Sequence, residues 1–294
     1  MQRAAGHEDT GRQGNATLYV VATPIGNLQD VTLRALDILK SVDVIAAEDT
    51  RVTSRLLQHH AIHAKRLIAL HEHNETRVAQ TIVSHLDAGA GVALVSDAGT
   101  PAFSDPGARL VAAVRAAGHR VSPIPGPNAA AAALSASGFT DRRFLFYGFL
   151  PAKTGERRSA LQALAREPYL LVLYEAPHRV AETIADLEAA FGGARRIVIA
   201  RELTKLFETI HQCTLGEASS WLAADANRSR GEFVLIVEGA PEDADAALSA
   251  ARATLEVLLD ALPVKQAATL ASKLTGASKN ELYALALELN SGKR

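Results

Sequence analysis

Cysteine is almost absent. Cys213 stands alone in 294 residues, so no internal disulfide can form and no CxxC pair is available for zinc, which fits a reducing compartment. Aromatic residues make up only 5%, with a single Trp, and leave Val, Leu, Ile and Ala to build the core. Neither sign of charge is in excess. Against 31 Lys and Arg stand 32 Asp and Glu, so any contact with nucleic acid has to come from local patches rather than from a field over the whole molecule. No G-x-G-x-x-G follows a β-like run and no G-x-x-x-x-G-K-[ST] occurs, which disfavours a phosphate-cradling dehydrogenase or NTPase. The long charge-free stretch Val121 to Thr140 is broken by Pro123, Pro125, Gly126, Pro127 and Gly138, which exclude a membrane-spanning helix. Met1 to Gly14 carries Arg3, Glu8, Asp9 and Arg12 and lacks the apolar stretch of a signal peptide. A disordered tail over residues 1–15 and a cytoplasmic location are the expectations.

What is present is the composition of an ordinary soluble enzyme, 48% apolar and 21% charged, in a chain longer than one typical domain. Leu18 to Ala22 is a β-branched run, followed by a Pro/Gly turn and by Val31, Ala35, Ile38 and Val42 at helical spacing. Strand patterns recur at Val42 to Ala46, Leu67 to Leu70 and Val92 to Val95, with helical patterns at Ser54 to His60 and Glu75 to Ala88 between them. Alternation at this pitch predicts a mostly parallel sheet covered by helices. Asp105-Pro106 has the residue types that open a helix, here running to Ala116, and Val121 to Ile124 closes the domain. Further strands are expected at Phe144 to Tyr147, Tyr169 to Tyr174, Arg196 to Ala200, Phe207 to Gln212 and Glu232 to Val237, with helices from Glu156 and from Pro177. The division is therefore an N-terminal α/β domain over 16–138, a second α/β domain over 139–240, and a small helical piece over 246–294. That last piece has two helical patterns, Ala247 to Leu262 and Pro263 to Leu289, with Gly276 able to turn the second.

Open parallel sheets bind ligands beyond the carboxyl ends of their strands. Three loops fall there: Thr23-Pro-Ile-Gly-Asn27, Ser96-Asp-Ala-Gly-Thr-Pro101 and Pro125-Gly-Pro-Asn-Ala129. Gly26, Gly99 and Gly126 carry no Cβ, so backbone N–H and C=O groups can come close to a small molecule. Singly each reads as a tight turn; three in one domain favour a ligand site.

Six segments carry a resemblance: Val21 to Asp30, Ala47-Glu-Asp-Thr-Arg51, Leu70-His-Glu-His-Asn-Glu75, Val95 to Gly107, Tyr174-Glu-Ala-Pro-His-Arg179 and Arg201-Glu-Leu-Thr-Lys205. In order and spacing they resemble the ribosomal RNA small subunit methyltransferase I family, which has a tetrapyrrole-methylase-like fold. The match runs from about Thr17 to Gly239, and Pro263 to Leu289 resembles that family's C-terminal helical domain. Within the wider superfamily the first loop normally reads G-x-G-P-G-D-P, and Thr23-Pro-Ile-Gly-Asn27 departs from it in the direction of the ribosomal branch.

The resemblance implies a homodimeric α/β enzyme with a parallel N-terminal sheet, a mixed second sheet and a helical C-terminal domain. It further implies S-adenosylmethionine as cofactor, no metal, and 2′-O-methylation of a decoding-region cytidine in 16S rRNA of the small ribosomal subunit. By position, the cofactor falls against Pro24, against Ser96, Asp97, Ala98, Gly99, Thr100 and Pro101, against Gly126, Pro127, Asn128 and Ala129, and against Tyr174, Glu175, Gly231 and Glu232. Asp97 and Glu175 are the carboxylates available to face a sulfonium.

Methyl transfer to a hydroxyl needs in-line alignment and a group to take the proton or steady the oxyanion. Glu48 or Glu202 is the expected proton acceptor, and Arg51, Arg201 or Lys205 the expected stabiliser. Glu48 and Asp49 are equally readable as acids capping the next helix, and Arg201 with Lys205 as a solvated face. Asn27, His71, His73, His178 and Arg179 are candidates for substrate contact. His59 with His63, or His71-Glu72-His73, does not complete a zinc-like ligand set. For RNA, Arg142, Arg143, Lys153, Arg157 and Arg158 form the best basic stretch. The interleaved Phe144, Phe146, Tyr147 and Phe149 alternate like a strand and are assigned to the core, while Lys265, Lys273 and Lys279 make a weaker second patch. A small-molecule methyltransferase and a non-catalytic ribosome-binding protein remain the alternatives at this point.

Overall fold

A computed structural model describes residues 16–241 and 244–291; the tail expected over 1–15 lies outside the described residues. The first lobe is a five-stranded sheet of β1 (Thr17–Val21), β2 (Val44–Ala47), β3 (Leu67–Ala69), β4 (Val92–Val95) and β5 (Arg120–Ile124). Its order is β3-β2-β4-β1-β5, and every pairing is parallel. All residues of β2 and β4 are buried because helices cover both faces, which is why these strands read as continuous apolar runs. Alternate residues feed two cores. Leu18, Val44, Ala46, Val92 and Leu94 meet Ile82 and Leu86 of α3 (Glu75–Asp87) and Leu110 and Val114 of α4 (Ala108–Ala116). Ile45, Ala47, Ala93 and Val95 meet Leu39 of α1 (Leu33–Ser41) and Leu57 of α2 (Thr50–His59) on the other face. Each fully buried Leu or Ile contributes roughly 1.5–3 kcal/mol.

Two helix starts differ from the sequence reading. Helix α2 begins four residues before Ser54, because Asp49 is its N-cap and accepts from the Arg51 N–H at 2.8 Å. Helix α4 does not begin at Pro106 but at Ala108, after Gly107 at φ 133°. No residue of its own sequence caps it. Instead Glu75 Oε1, from the first turn of α3, accepts from the N–H groups of Gly107, Arg109 and Leu110 at 3.0, 2.8 and 3.1 Å.

The chain leaves β5 through Pro125–Asn128 into α5 (Ala129–Ala136), whose Ala130 and Ala133 pack against the second sheet. That sheet contains β6 (Phe144–Phe149), β7 (Leu170–Glu175), β8 (Arg196–Arg201), β9 (Thr209–Thr214) and β10 (Phe233–Val237) in the order β6-β7-β10-β8-β9. Only β6 and β7 pair in parallel; the others are antiparallel. Helices α6 (Thr154–Leu164), α7 (Val180–Phe191) and α8 (Leu215–Ala223) complete this lobe, α8 starting at a Thr214–Glu217 capping box. The core assignment of the β6 aromatics is corrected here. β6 is an edge strand: Phe146 packs inward, Phe144 at the strand start remains 50% exposed, and a bulge between Phe146 and Gly148 sets Phe149 opposite Tyr174, where it is 54% exposed.

Both lobes belong to one compact unit, formed by the chain up to Ala163 and by Leu170–Glu238. The second unit comprises Leu164–Tyr169 and the chain from Gly239, with α9 (Ala244–Leu259), α10 (Val264–Thr275) and α11 (Lys279–Ser291). It has three helices where two patterns were read, because Gly276 adopts the left-handed conformation and ends α10. Ala251, Leu255, Ala267, Ala268, Ala271, Leu282 and Ala286 form its core, and small side chains let the helices approach closely.

Candidate active site

A cavity of about 370 Å³ lies beyond the carboxyl ends of β1, β4, β5 and β7 and the start of β10. Its walls include Ile25, Phe103, Leu203, Phe233 and Val234, backbone from Ala98 to Thr100, and Asn128 and Ala129. Three carboxylates, Asp105, Glu175 and Glu232, also face it, with Tyr174 beside them.

The three glycine- and proline-bearing loops are tied to one another. Thr23 and Gly99 exchange backbone hydrogen bonds at 2.9 and 3.0 Å, and Thr23 Oγ1 donates to the Ser96 carbonyl at 3.0 Å. Thr100 Oγ1 donates to the Pro127 carbonyl at 3.1 Å, and Asn128 Oδ1 accepts from Ala131 N–H at 3.0 Å as the cap of α5. Tyr174 Oη accepts from Ala130 N–H at 3.2 Å, so the second lobe joins the same framework. A Cβ on Gly26 would come within 2.6 Å of Lys205 Cγ, which shows how closely the first loop lies against the turn after β8.

Each lobe sends a strained turn into the cavity. Ala102 and Ser104 sit at φ 64° and 74° on either side of Phe103, and Glu202 and Thr204 sit at φ 51° and 66° on either side of Leu203. Left-handed backbone at four non-glycine residues costs on the order of 1 kcal/mol or more each and gathers at functional sites.

Of the residues expected against the cofactor, Ala98, Gly99, Thr100, Asn128, Ala129, Tyr174, Glu175 and Glu232 line the cavity. Pro24 and Ser96 are buried beneath it, and Asp97, Pro101, Gly126, Pro127 and Gly231 lie outside the lining. Gly231 serves the neighbouring turn: at φ 91°, a Cβ there would strike the Glu202 side chain at 2.4 Å. The sequence presents Asp105 only as a helix-start residue. The signal against that reading was the Pro106-Gly107 that follows it, a turn pair rather than a helix opening.

The expected catalytic residues separate into two clusters. At the ends of β2 and β4, Glu48 Oε2 accepts from Asp97 N–H at 3.2 Å and Asp97 Oδ1 accepts from Asp49 N–H at 2.9 Å. Burial, reinforced by neighbouring carboxylates, pushes the Glu48 and Asp97 carboxyls up. Arg51 forks onto Asp49 and holds that carboxyl down at about 2, with its own side chain 86% exposed. After β8, Lys205 Nζ donates to Glu202 Oε1 and Glu232 Oε2, both at 2.8 Å, and Glu202 Oε1 also accepts from Glu232 N–H. Burial would raise the Glu202 carboxyl, but Lys205, the Glu232 N–H and the Arg201 charge together outweigh it and the net shift is downward, which makes Glu202 a poor base. Arg201 is buried and donates to the carbonyls of Arg230 at 2.6 Å and Phe207 at 2.9 Å, so it braces the turn.

Among the substrate candidates, Asn27 caps a single 3-10 turn through Gln29 N–H, while His71 and His73 are exposed on the loop after β3 with ring centres 6.0 Å apart. His178 is exposed, but Arg179 is held by the carbonyls of Leu150 and Pro151 at 2.8 and 3.0 Å. Arg142 and Arg143 are exposed, Arg143 pairing with Asp141. Arg157 is corrected: at 2% exposure, bound to Asp186 at 2.7 Å and Glu182 at 3.2 Å, it is structural rather than a phosphate contact. Arg158 also pairs with Asp186 but keeps a 67% exposed side chain. Among the described residues no three His, Cys, Asp or Glu side chains converge as a metal would require.

A family model for tetrapyrrole (corrin/porphyrin) methylases matches residues 17–219, and one for the RsmI C-terminal HTH domain matches 238–290. Ribosomal RNA small subunit methyltransferase I of Escherichia coli O157:H7 is 52% identical over 92% of this chain and 94% of that protein. The protein of the same name from Pseudomonas aeruginosa is 52% identical over 92% of this chain and 97% of its own. Solved structures share the fold at low identity. The methyltransferase CobJ superposes with TM-score 0.58 at 21% identity, covering 76% of this chain and 94% of that one. The cobalamin biosynthetic enzyme cobalt precorrin-4 methyltransferase gives 0.57 at 16%, covering 78% and 98%. With half its residues shared along nearly the whole length of such relatives, the chain belongs to the tetrapyrrole methylase family and, within it, to ribosomal RNA small subunit methyltransferase I.

Proposed function

We propose that the protein transfers a methyl group from S-adenosylmethionine to the ribose 2′-hydroxyl of a decoding-region cytidine in 16S rRNA of the small ribosomal subunit. The observation that carries this reading is the near full-length identity to relatives named for small-subunit ribosomal RNA methylation. The cavity supports the cofactor. An apolar slot from Leu203, Phe233 and Val234 suits an adenine, and the bare backbone at Gly99 and the Asn128–Ala129 helix start suit polar ends. Glu175 and Glu232 give the wall the negative character that a sulfonium and an ammonium need. When bound, S-adenosylmethionine supplies an electrophilic methyl group.

The chain's residues do the rest. The cross-linked loops fix the cofactor slot before binding, so little ordering entropy is lost there. Lys205, held between Glu202 and Glu232 at the rim, and Arg51, largely exposed, provide positive charge for the sugar-phosphate backbone. Arg142, Arg143 and Arg158 extend it, with Phe144 and Tyr147 exposed as surfaces for base stacking. The enzyme acts as a homodimer in the cytoplasm, and the exposed Leu206, Phe207 and Ile210 next to and on edge strand β9 support a self-association face.

The test is transfer of tritium from labelled S-adenosylmethionine to small subunits from a strain lacking the protein, followed by mapping of the nucleoside. Label on one cytidine ribose is expected. Bound cofactor without label on subunits or their RNA would instead favour a small-molecule acceptor. Assembled subunits should be methylated faster than naked RNA, because a near-neutral enzyme depends on preformed RNA shape.

A further inference from the structure

Three carboxylates face the cofactor cavity, and two of them are already engaged. Glu175 accepts from Ala176 N–H at 2.8 Å and Thr183 Oγ1 at 2.7 Å and lies 3.4 Å from Arg179 Nε. Glu232 is paired with Lys205. Asp105 has no Lys, Arg or His partner among the described residues. Glu48 and Glu202 do not line the cavity, and each already receives a backbone N–H.

We propose that Asp105 is the group that takes the proton from the ribose hydroxyl during methyl transfer, an assignment that rests on the methyl-transfer reading above. Its backbone is pinned on both sides. Upstream, the left-handed Ala102 and Ser104 turn Phe103 into a stack on Phe146, with ring centres 4.1 Å apart. A Cβ on Gly148 would come within 2.7 Å of Ser104 Oγ, so the turn is seated against the β6 bulge. Downstream, Glu75 binds the N–H groups of Gly107, Arg109 and Leu110. A carboxylate so held on a strained turn, at the wall of the methyl-donor slot, is what positioned proton transfer requires.

The balance closes without another reactant. The 2′-oxygen forms a bond to the methyl carbon as the carbon–sulfur bond breaks, and that electron pair stays on sulfur, which becomes a neutral thioether. The O–H bond breaks and the proton passes to Asp105, so one cation and one carboxylate become two neutral groups. A dry wall favours that change. The groups facing Asp105 are Glu48, Asp97, the Ser96 hydroxyl and the Tyr174 phenol. Burial, with added repulsion from Glu48 and Asp97 against a smaller opposing pull from Ser96, pushes its carboxyl up to about 6, closer to working pH than an ordinary aspartate.

The test compares wild type with Asp105→Asn, which keeps the shape and cannot accept the proton. Near neutral pH, single-turnover methylation of small subunits should fall by about 10² to 10⁴-fold, with S-adenosylmethionine affinity by calorimetry kept within about threefold. An unchanged rate overturns the proposal, and so does a loss explained by lost cofactor affinity. Should the variant fail to fold, the wild-type pH profile decides. The rate should climb tenfold per pH unit to a plateau beginning near 6, and Glu48→Gln should move that limb to lower pH by removing a neighbouring negative charge. A flat profile between about pH 5 and 8, or a limb that vanishes in Glu48→Gln, overturns it. Cofactor binding without any methyl transfer by wild type to small subunits at any pH is a different failure: it removes the methyl-transfer reading, and the assignment falls with it.

Discussion

Phe103 and Phe146 stack with ring centres 4.1 Å apart and planes inclined by 25°, one carried by the turn after β4 and the other by the edge strand of the second sheet. Tyr174 meets Phe146 edge-on at 5.1 Å, so one aromatic group spans the two lobes at the wall of the cavity. Phe146→Ala should lose about 2–4 kcal/mol of stability in urea denaturation and weaken S-adenosylmethionine binding by about tenfold in calorimetry. Unchanged affinity would separate the stack from the site.

Glu75 caps α4 from outside, through three backbone N–H groups on one oxygen. Glu75→Ala leaves those donors buried without a partner and should cost about 2–4 kcal/mol, against about 1–2 kcal/mol for Glu75→Gln, which still offers a carbonyl. Parallel urea titrations of the two variants would measure the difference.

Asp105 has a folded pKa of about 6 against an ordinary 3.8, so the fold favours its protonated form. The stability it contributes is complete below about pH 4 and is lost as pH rises through 6. Asp105→Asn should therefore match wild type near pH 4 and exceed it near pH 8 by roughly 1–2 kcal/mol, allowing for solvent screening at a partly exposed group. Thermal melts across that range provide the measurement, and equal stability at both ends would contradict it.

Arg157 and Arg142 should part company. Arg157→Met removes a buried cation from between Asp186 and Glu182 and should cost about 3–5 kcal/mol by leaving Asp186 buried with one partner fewer. Arg142→Ala should leave the melting temperature unchanged and reduce subunit binding together with its salt dependence. Filter binding at several salt concentrations, beside melting curves, distinguishes the two.

Gly231→Ala places a methyl group within 2.4 Å of Glu202 Cγ at a backbone φ of 91°. A loss of about 2–4 kcal/mol is expected, with the Glu202–Lys205–Glu232 contacts displaced. Lys205 then loses its fixed position, so the Michaelis constant for subunits should rise more than the turnover number falls.

The first sheet is legible because β2 and β4 are buried on both faces: the sequence places Val92 to Val95 with its observed ends and β2 to within two residues, and even the edge strand β3, less buried, is placed to within one residue. What escaped depends on contacts distant in sequence. The start of α4 is set by Glu75, some thirty residues upstream, and no local rule connects them. The β6 aromatics alternate as core residues do, yet Phe144 stays half exposed at the start of an edge strand, and the bulge after Phe146 sets Phe149 opposite Tyr174 at the cavity, still 54% exposed. Arg157 looked like its neighbour Arg158 until Asp186 was seen to lie beside both. The ligand-facing loops were visible through their glycines, whereas Asp105 was hidden by a dipeptide that also opens helices.

The sheet order also governs how the chain can assemble as it is made. The first strand to be synthesised, β1, lies between β4 and β5, and Leu18 has to wait for Val92 and Val121. At translation rates of about 5–20 residues per second, that interval lasts several seconds, during which an apolar strand has no permanent partner. Nascent chains truncated before Val92 should thus stay protease-sensitive and bind holdase chaperones, while those that extend past Ile124 acquire resistance in a single step.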